Sequence, residues 1–325
     1  MRKKTLRYLV PCMAMALCSI SFTSCSDDDE GGVPSGPSIT FGDSFLTGVG
    51  RHEFSYDEEG RCYRAYEPSN DDLIIIDYEN GLILSGDIGE EMKISFNGKG
   101  YITGMSASWD YEEDGEKYSG SGKMTFSYDG NGHLTEENIN SKERYSYKGE
   151  TSSYSMTSKT AYRWENGDLV SGSMRHEETE DGDDNWAADE FTIRYDETLD
   201  NIHKQFPFTF YRVMDNYHDS YIHILGMVGM FGIGPAHLPS SYHKEFNEEG
   251  QTWDETSGGS VVYTINSDGY IAGERINGAF YGYDYESFGS ASNYVMHAAK
   301  SMKSMDRDKK RHRVRDMFMR YRDRK

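Results

Sequence analysis

Short runs of alternating apolar and polar residues recur along the chain, and most end at an Asp or Asn that Gly follows within three residues. Residues 54–60, 94–100, 126–132 and 263–269 show the pattern most clearly. In a strand, a period of two places the apolar side chains on one face. Asp or Asn followed by Gly suits a tight turn that needs a positive φ. The pattern therefore predicts a series of β-hairpins.

The spacing of the turn glycines indicates the size of each unit. Gly132, Gly149 and Gly167 follow one another at a spacing that fits two strands of about seven residues plus turns. Eight or nine such phrases predict on the order of a dozen or more antiparallel strands. We expect an all-β antiparallel meander that forms a curled sheet or an open, barrel-like sheet. Two longer acidic segments, residues 110–118 and 177–184, are predicted to be solvated hairpin tips.

One segment breaks the alternation. Residues 221–235 form a long apolar stretch that contains four glycines. Glycine is unfavourable in helix interiors, so neither a membrane helix nor a regular soluble helix is expected here. We predict a plug, irregular or briefly helical, that packs against the concave side of the sheet and seals one end.

Charge is distributed unevenly. The chain has a net charge of −21, yet its last 25 residues carry eleven basic and four acidic side chains. The first 24 residues are also basic, so the body between them is more acidic than the total. An acidic body argues against a nucleic-acid partner, because phosphate contacts need clustered Lys and Arg. The 25 Tyr residues and only 7 Pro indicate a folded chain rather than a disordered one.

The first residues predict export and a lipid anchor. Basic residues 2–7 precede an apolar run, residues 8–22, that is shorter than the roughly 20 residues a membrane span needs. Thr23 and Ser24 precede Cys25, which resembles a bacterial lipobox, although Phe22 departs from the usual pattern. Cys25 is the predicted lipid-attachment site, and a plain secretory signal cut elsewhere is the alternative.

The residues after Cys25 resemble the acidic export signal that Bacteroidetes lipoproteins use to reach the outer face of the outer membrane. Like charges beside Gly and Pro also favour an extended, solvated tether. We expect a lipid-anchored, surface-exposed outer-membrane protein, with retention at the inner leaflet as the alternative. The predicted organisation is a signal peptide (1–24), a tether (25–38), a β-domain (39–290) and a basic tail (291–325).

Metal, cofactor and catalytic signatures are weak. After loss of the signal and acylation of Cys25, Cys62 remains as a lone thiol, so neither a disulfide nor a cysteine zinc site is expected. His218 and His223 are five residues apart and diverge on a strand or a helix. Residues 181–184 lack the calcium-loop pattern, and residues 226–234 lack the Lys and Ser or Thr of a phosphate loop. We predict no cofactor, no metal and no enzymatic activity.

Two tryptophans are candidate ligand-binding residues. Trp186 and Trp253 lie near charged turn segments, where exposed aromatic rings can stack against sugars or peptides. The alternative is that they are core residues or cross-strand partners, as most rings in a Tyr-rich sheet are.

The basic tail has an apolar stripe. Val314, Met317, Phe318 and Tyr321 are spaced as one helix face and are surrounded by Arg, which predicts a short basic amphipathic helix. We expect it to be held at an anionic surface. Docking against the acidic body and a solvated extension remain alternatives.

The whole pattern resembles a known family. The strand-turn phrases, residues 200–202, residues 230–232 and residues 237–241, behind a lipobox and an acidic tether, look like the Bacteroidetes lipoprotein domain family of unknown function described as having a porin-like fold. The YD repeats of secreted shell proteins resemble the chain less, because its units vary in length. The resemblance implies a curled antiparallel sheet over residues 40–288 and carries no known activity.

These expectations combine into a functional hypothesis. We expect a non-catalytic surface module that captures an extracellular glycan, a peptide or a partner lipoprotein, with its oligomeric state left open. One alternative is a polysaccharide hydrolase that uses carboxylates not recognisable in the sequence. Another is a carrier of an apolar ligand, which would need an open lumen.

Overall fold

The computed structural model describes residues 43–69, 72–85, 91–113, 116–214, 221–248 and 251–287. The predicted signal peptide, Cys25, the tether and the basic tail with its predicted helix lie outside these residues, as does His218.

Sixteen antiparallel strands make up the described fold, and each pairs with its neighbours in sequence. The all-β antiparallel meander predicted from the sequence is therefore confirmed. The strands are β1 (Ser44–Val49), β2 (His52–Tyr56), β3 (Cys62–Glu67), β4 (Asp72–Asp77), β5 (Leu82–Ser85), β6 (Glu91–Phe96), β7 (Ile102–Glu113), β8 (Glu116–Tyr128), β9 (Leu134–Tyr147), β10 (Glu150–Glu165), β11 (Asp168–Glu180), β12 (Asp183–Asp200), β13 (His237–Glu248), β14 (Gln251–Ile265), β15 (Ile271–Ile276) and β16 (Ala279–Ser287).

The sheet closes into a barrel, so the prediction of an open or merely curled sheet is wrong. Strand β1 pairs with β2 on one side and with β16 on the other, where Ser44 lies opposite Ser287. Closure satisfies the backbone groups that an open sheet would leave at its two edges. Alternation along single strands cannot show this, because closure depends on how far the whole sheet curls.

The barrel wall has two unequal halves. Strands β7–β14 contain 12 to 18 residues each and form the long-strand wall, whereas the other eight contain 4 to 9 and form the short-strand wall. The long strands run through most of residues 110–118 and 177–184, so the prediction of solvated tips at both segments is wrong for most of their length. Acidic side chains such as Asp110 and Glu177 there continue the polar half of the alternation, whereas Glu178 points inward and is buried.

The repeated Asp or Asn phrases form the predicted turns at one end of the barrel. Asp129 Oδ1 accepts hydrogen bonds from the backbone N–H groups of Asn131 and His133, both at 2.9 Å, and Gly132 has a φ of 97°. The same arrangement recurs at Asp57, Asn97 and Asn266. A side-chain oxygen that mimics a backbone acceptor lets the turn form from its own local hydrogen bonds.

A plug fills the same end of the barrel, as the sequence predicts. It is defined here as the described part of residues 201–236, which connects β12 to β13 and includes helix α1 (Phe208–Met214) and a 3₁₀ turn (Tyr221–Gly226). Its apolar side chains join those of the wall in one core. The Ile102 N–H donates to the Met230 carbonyl at 2.9 Å, and the Ile233 N–H to the Gly132 carbonyl at 3.0 Å. The plug is thus bonded to the turns that surround it.

A buried carboxyl group on β15 holds helix α1. The Phe208 and Thr209 N–H groups donate to the two Glu274 oxygens at 2.8 and 3.0 Å, and the Tyr283 hydroxyl donates at 2.5 Å. These bonds satisfy backbone donors that a helix start leaves without a partner. None of the helices in the described part of the chain is long and apolar enough to cross a membrane.

The outer face of the long-strand wall is polar, whereas its inner face carries the apolar side chains that join the core together with several buried polar groups. On β8, Met124 and Phe126 are buried, whereas Lys123 and Ser127 are exposed and Thr125 is half-buried. A barrel wall that faces lipid instead carries an apolar outer band. The outer face of this wall therefore faces water.

Candidate functional site

Trp186 lies on the outer face of the long-strand wall. On β12, Ala187 and Asp189 both point into the barrel and are buried. Trp186 lies at an alternate position, so it points outward, and its side chain is half-buried. The Arg175 guanidinium on β11 lies 5.0 Å from the centroid of its ring. This distance is typical of a cation–π contact, which holds the ring at the surface.

A groove opens beside this ring on the outer face of β9–β12. We call it the outer groove; its volume is about 540 Å³, within the range of small-molecule sites. Its floor contains small side chains, and its sides carry amide, hydroxyl and charged groups. The outward residues that line it are Asn138, Asn140, Thr157, Lys159, Ala161, Ser173, Arg175, Glu177, Ala188 and Glu190.

Strand register explains why these residues meet. Asn140 lies opposite Thr157, Thr157 opposite Glu177, and Glu177 opposite Trp186. Directly opposed residues point to the same face, so the four form one row across four strands. The row spans roughly 14 Å, because neighbouring strands lie about 4.8 Å apart. The outer groove therefore suits an extended polar ligand that crosses the strands, and Trp186, which lies beyond its lining residues, stands at the end of the row.

The two basic side chains that line the outer groove are each paired with a carboxylate group. The Lys159 ammonium lies 2.6 Å from Glu136, and Arg175 Nε lies 2.7 Å from Glu177. The Asn138 amide and the Lys159 ammonium donate to Glu136 and lower the pKa of its carboxyl group. The groove thus offers donors and acceptors in balance, which suits neutral hydroxyl groups better than a phosphate or another strong anion.

Two carboxyl groups with raised pKa values lie elsewhere. Burial raises the pKa of Asp189 and of Glu274, and both side chains are inside the barrel. Asp189 Oδ2 lies 3.3 Å from the Lys244 ammonium, and Glu274 binds the start of α1. A glycoside hydrolase uses a carboxylic acid with a raised pKa facing its substrate. These two groups are instead bound to other protein groups, so they give no support to the hydrolase alternative.

The second predicted binding residue is not brought next to the first. Trp253 belongs to β14, where its backbone lies opposite Phe246 of β13, and β13 separates it from β12. The Trp253 side chain lies outside what the structure describes, as does Cys25, so both assignments stay predictions. Trp109 is buried against Gly120, and Trp164 Nε1 donates to the Leu134 carbonyl at 2.7 Å. These two tryptophans are structural.

Other residues considered from the sequence also have structural surroundings. Cys62 is a free, buried cysteine, and burial raises the pKa of its thiol to about 12, so it is mostly unreactive at neutral pH. His223 and residues 226–234 are parts of the plug. Within the described ranges, no group of three or more His, Cys, Asp or Glu side chains is arranged to hold a metal ion.

Sequence reasoning identified Trp186 but missed the outer groove beside it. Ala161, Ser173 and Ala188 come from three different strands, and only the register brings them together. The available signal was weak: small residues at outward positions where neighbouring strands carry longer polar side chains.

Comparisons with known proteins give distant structural likenesses. A porin-like protein from Bacteroides vulgatus ATCC 8482 matches with a TM-score of 0.46 and 16% identity, covering 76% of this chain and 100% of that one. A porin-like protein from Bacteroides uniformis ATCC 8492 matches with a TM-score of 0.26 and 12% identity, covering 66% and 96%. No family model and no curated protein matches the chain. Neither likeness carries a functional conclusion.

Proposed function

We propose that this chain is a lipid-anchored protein of the outer-membrane surface whose barrel binds an extracellular glycan, without catalysis, in the outer groove. The observation that carries the proposal is the row that runs from Asn140 to Trp186 on a water-facing wall. An aromatic ring beside amide, hydroxyl and carboxylate groups matches the mixed apolar and polar faces of a sugar.

The filled interior favours binding on the outside. Phe231 of the plug packs against Phe126 of the wall with ring centroids 4.9 Å apart, and both are buried. An apolar carrier would need that volume for its ligand. The carrier alternative therefore has less support than surface binding.

The start of the barrel suits an anchor on the plugged side. Strand β1 begins at Ser44, and the Asp43 N–H donates at 3.3 Å to the hydroxyl of Tyr270, which follows a turn at the plugged end. The 18 residues between Cys25 and Ser44 could span up to roughly 60 Å if extended. In this arrangement the opposite hairpin tips, such as residues 148–149, point away from the membrane.

Binding can be tested with residues 26–325 by affinity gel electrophoresis against xyloglucan, galactomannan, starch and chondroitin sulfate. We expect one of the neutral polysaccharides to retard the protein. Trp186→Ala should weaken that retardation roughly tenfold or more, as loss of a central aromatic contact does. Arg194→Ala, an exposed outward position on the same strand, is the matched control. Retardation by none of the four, or equal retardation of both variants, would overturn the glycan proposal.

Anchoring can be tested in cells by labelling with radioactive palmitate. Cys25→Ala should remove both the label and membrane retention, whereas Cys62→Ala, which removes the buried thiol, should keep both. Neutralising Asp27, Asp28, Asp29 and Glu30 together should move the protein from the protease-accessible surface to the inner leaflet. Unchanged membrane retention of Cys25→Ala would refute the lipid anchor, and unchanged digestion on intact cells would refute the role of the tether.

A further inference from the structure

Strands β4 and β5 depart from the alternation that the other strands show. Residues 73–76 and 82–84 are unbroken runs of Leu and Ile. Strands with continuous apolar runs occur where both faces of a sheet are covered. The sequence of this hairpin therefore indicates that its outer face is covered as well as its inner face.

The structure shows which residues lie on each face. Ile74, Ile76 and Ile83 point into the barrel and are 1%, 4% and 0% exposed. Leu73, Ile75, Leu82 and Leu84 occupy the alternate positions on the outside and are partly exposed. We call these four, together with Tyr66, the outer apolar patch.

Register makes the patch continuous. Ile75 lies opposite Leu84, and Tyr66 of β3 lies opposite Leu73. Directly opposed side chains on one face are neighbours, so these partly exposed members form one apolar area, at whose edge the Arg64 guanidinium lies 4.6 Å from the centroid of the Tyr66 ring. The outward positions of the long-strand wall carry mostly Ser, Thr, Lys, Glu and Asn instead. A contiguous apolar area on a polar exterior is typical of an interaction surface.

We propose that the outer apolar patch binds the chain's own C-terminal segment, residues 303–325. Val314, Met317, Phe318 and Tyr321 would share one face of a helix and match the patch in chemistry. Burying both apolar faces against each other removes them from water together.

The chain is long enough for this contact. The last strand ends at Ser287, and β16 is four strand positions from β4 around the closed barrel, or roughly 19 Å. The 26 residues between Ser287 and Val314 could span up to roughly 85 Å when extended. The connection thus has ample slack.

Charge favours the same partner. Glu53, Glu67, Asp77 and Glu79 lie around the patch, while its nearby bases are Arg64, which is 3.8 Å from Glu53, and Lys93. The tail has a clear excess of basic residues. A second copy of the barrel would bring a patch with the same acidic surroundings, and an anionic lipid surface would be repelled by them. The tail is therefore the occupant that the charges favour.

The proposal can be tested by photo-crosslinking in residues 26–325, which include the barrel and the whole C-terminal segment. With p-benzoyl-phenylalanine in place of Leu84, we expect crosslinks within one molecule to residues 303–325. The same probe in place of Ser121, on the outer face of β8, should give none. Crosslinks between molecules that increase with concentration would show a second copy instead. Crosslinks only to lipid, in the presence of phosphatidylglycerol vesicles, would show a membrane contact. Either result, or no crosslink at Leu84, would overturn the proposal.

Trypsin provides a second measurement, because the tail is rich in Arg and Lys. Ile75→Asp, which places a charge in the patch, should speed cleavage in residues 303–325 about tenfold. Phe318→Asp, which places a charge on the apolar stripe of the tail, should speed it by a similar factor. Thr125→Asp, on the outer face of the long-strand wall, is the control and should leave the rate unchanged. Ile75 and Thr125 occupy outward positions on the barrel wall, so the barrel should stay folded, which circular dichroism checks for all three variants. Equal cleavage rates in all variants would contradict the proposed contact.

Discussion

His223 of the plug and Glu137 of strand β9 form a buried contact, with Nε2 of the imidazole 3.1 Å from Oε2 of the carboxyl group. The Tyr162 hydroxyl donates to the same oxygen at 3.2 Å. All three side chains are buried. A polar contact of this kind fixes position in a way that apolar packing does not, because misplacing it leaves buried polar groups without partners. The pair therefore defines how the 3₁₀ turn sits against the wall.

The first prediction tests this contact. Glu137→Ala should lower the free energy of unfolding by about 3 kcal/mol, because it leaves the buried His223 and Tyr162 groups without this acceptor. Urea unfolding followed by tryptophan fluorescence measures the change. Lys142→Ala, at an exposed position on the same strand, should change stability by less than about 0.5 kcal/mol. If the two variants unfold alike, the contact does not hold the plug.

A second prediction concerns the buried ion pair between Asp189 and Lys244, whose Oδ2 and Nζ atoms are 3.3 Å apart. Burial raises the pKa of Asp189, and Lys244 opposes that rise. Lys244→Met should cost about 3 to 5 kcal/mol, because it leaves a buried carboxylate without its cation. The double variant Asp189→Leu with Lys244→Met should recover most of that loss, since both charges are then removed.

The exposed pair of Lys117 and Glu112, at 3.3 Å, supplies the comparison. Lys117→Met should cost less than about 1 kcal/mol, because solvent screens the pair. A double variant at Asp189 and Lys244 that is no more stable than Lys244→Met alone would show that packing, not charge, sets the cost.

The features that could be predicted from the sequence are those determined within one hairpin. Asp129 and Gly132 sit three residues apart and make their turn from their own side chain and backbone, so the sequence shows it directly. The alternation of Met124 and Phe126 with polar residues gives the inward face in the same local way. The plug was predictable because residues 221–235 lack both strand alternation and charge.

Features that depend on several strands could not be predicted. Closure of the barrel requires Ser44 to meet Ser287, which lie at opposite ends of the described chain. The outer groove depends on the register of Thr157 with Glu177 and of Glu177 with Trp186, and a shift of one residue would turn each side chain to the other face. Only Trp186 stands out in the sequence, because its residue type is rare.

A third prediction follows from a ring that covers a glycine on the neighbouring strand. Gly172 of β11 lies opposite Phe191 of β12, and a Cβ atom on Gly172 would come within 2.3 Å of that ring. Gly172→Ala should therefore cost about 1 to 3 kcal/mol by overpacking the interior. Gly130→Ala, where a Cβ would meet no atom within 4 Å and φ is not positive, should be nearly neutral. Equal thermal unfolding of the two variants would mean that Phe191 moves aside freely.

The last prediction uses pH to test the group that holds helix α1. Burial raises the pKa of the Glu274 carboxyl group above its ordinary value of 4.5, and hydrogen bonds from Thr209 and Tyr283 oppose the rise. A carboxyl group with a raised pKa binds protons more readily in the folded chain than in the unfolded one. Its titration thus contributes stability fully below pH 4.5, and this contribution is lost as the pH rises through the folded-state pKa.

Glu274→Gln has no such titration, so the stability advantage of the natural chain over this variant should shrink as the pH increases above 4.5. Some advantage should remain at neutral pH. The two Glu274 oxygens accept hydrogen bonds from Phe208, Thr209 and Tyr283, and in Gln one of these oxygens is replaced by an amide nitrogen that cannot accept them. Urea unfolding at several pH values between about 4 and 8 measures the difference in stability between the natural chain and the variant. Glu197→Gln, at an exposed position on β12, is the control for loss of one carboxyl group. An advantage that grows with pH would show the opposite balance: the hydrogen bonds to the ionised carboxylate would outweigh its burial, and α1 would be held by a charge rather than by a neutral acid.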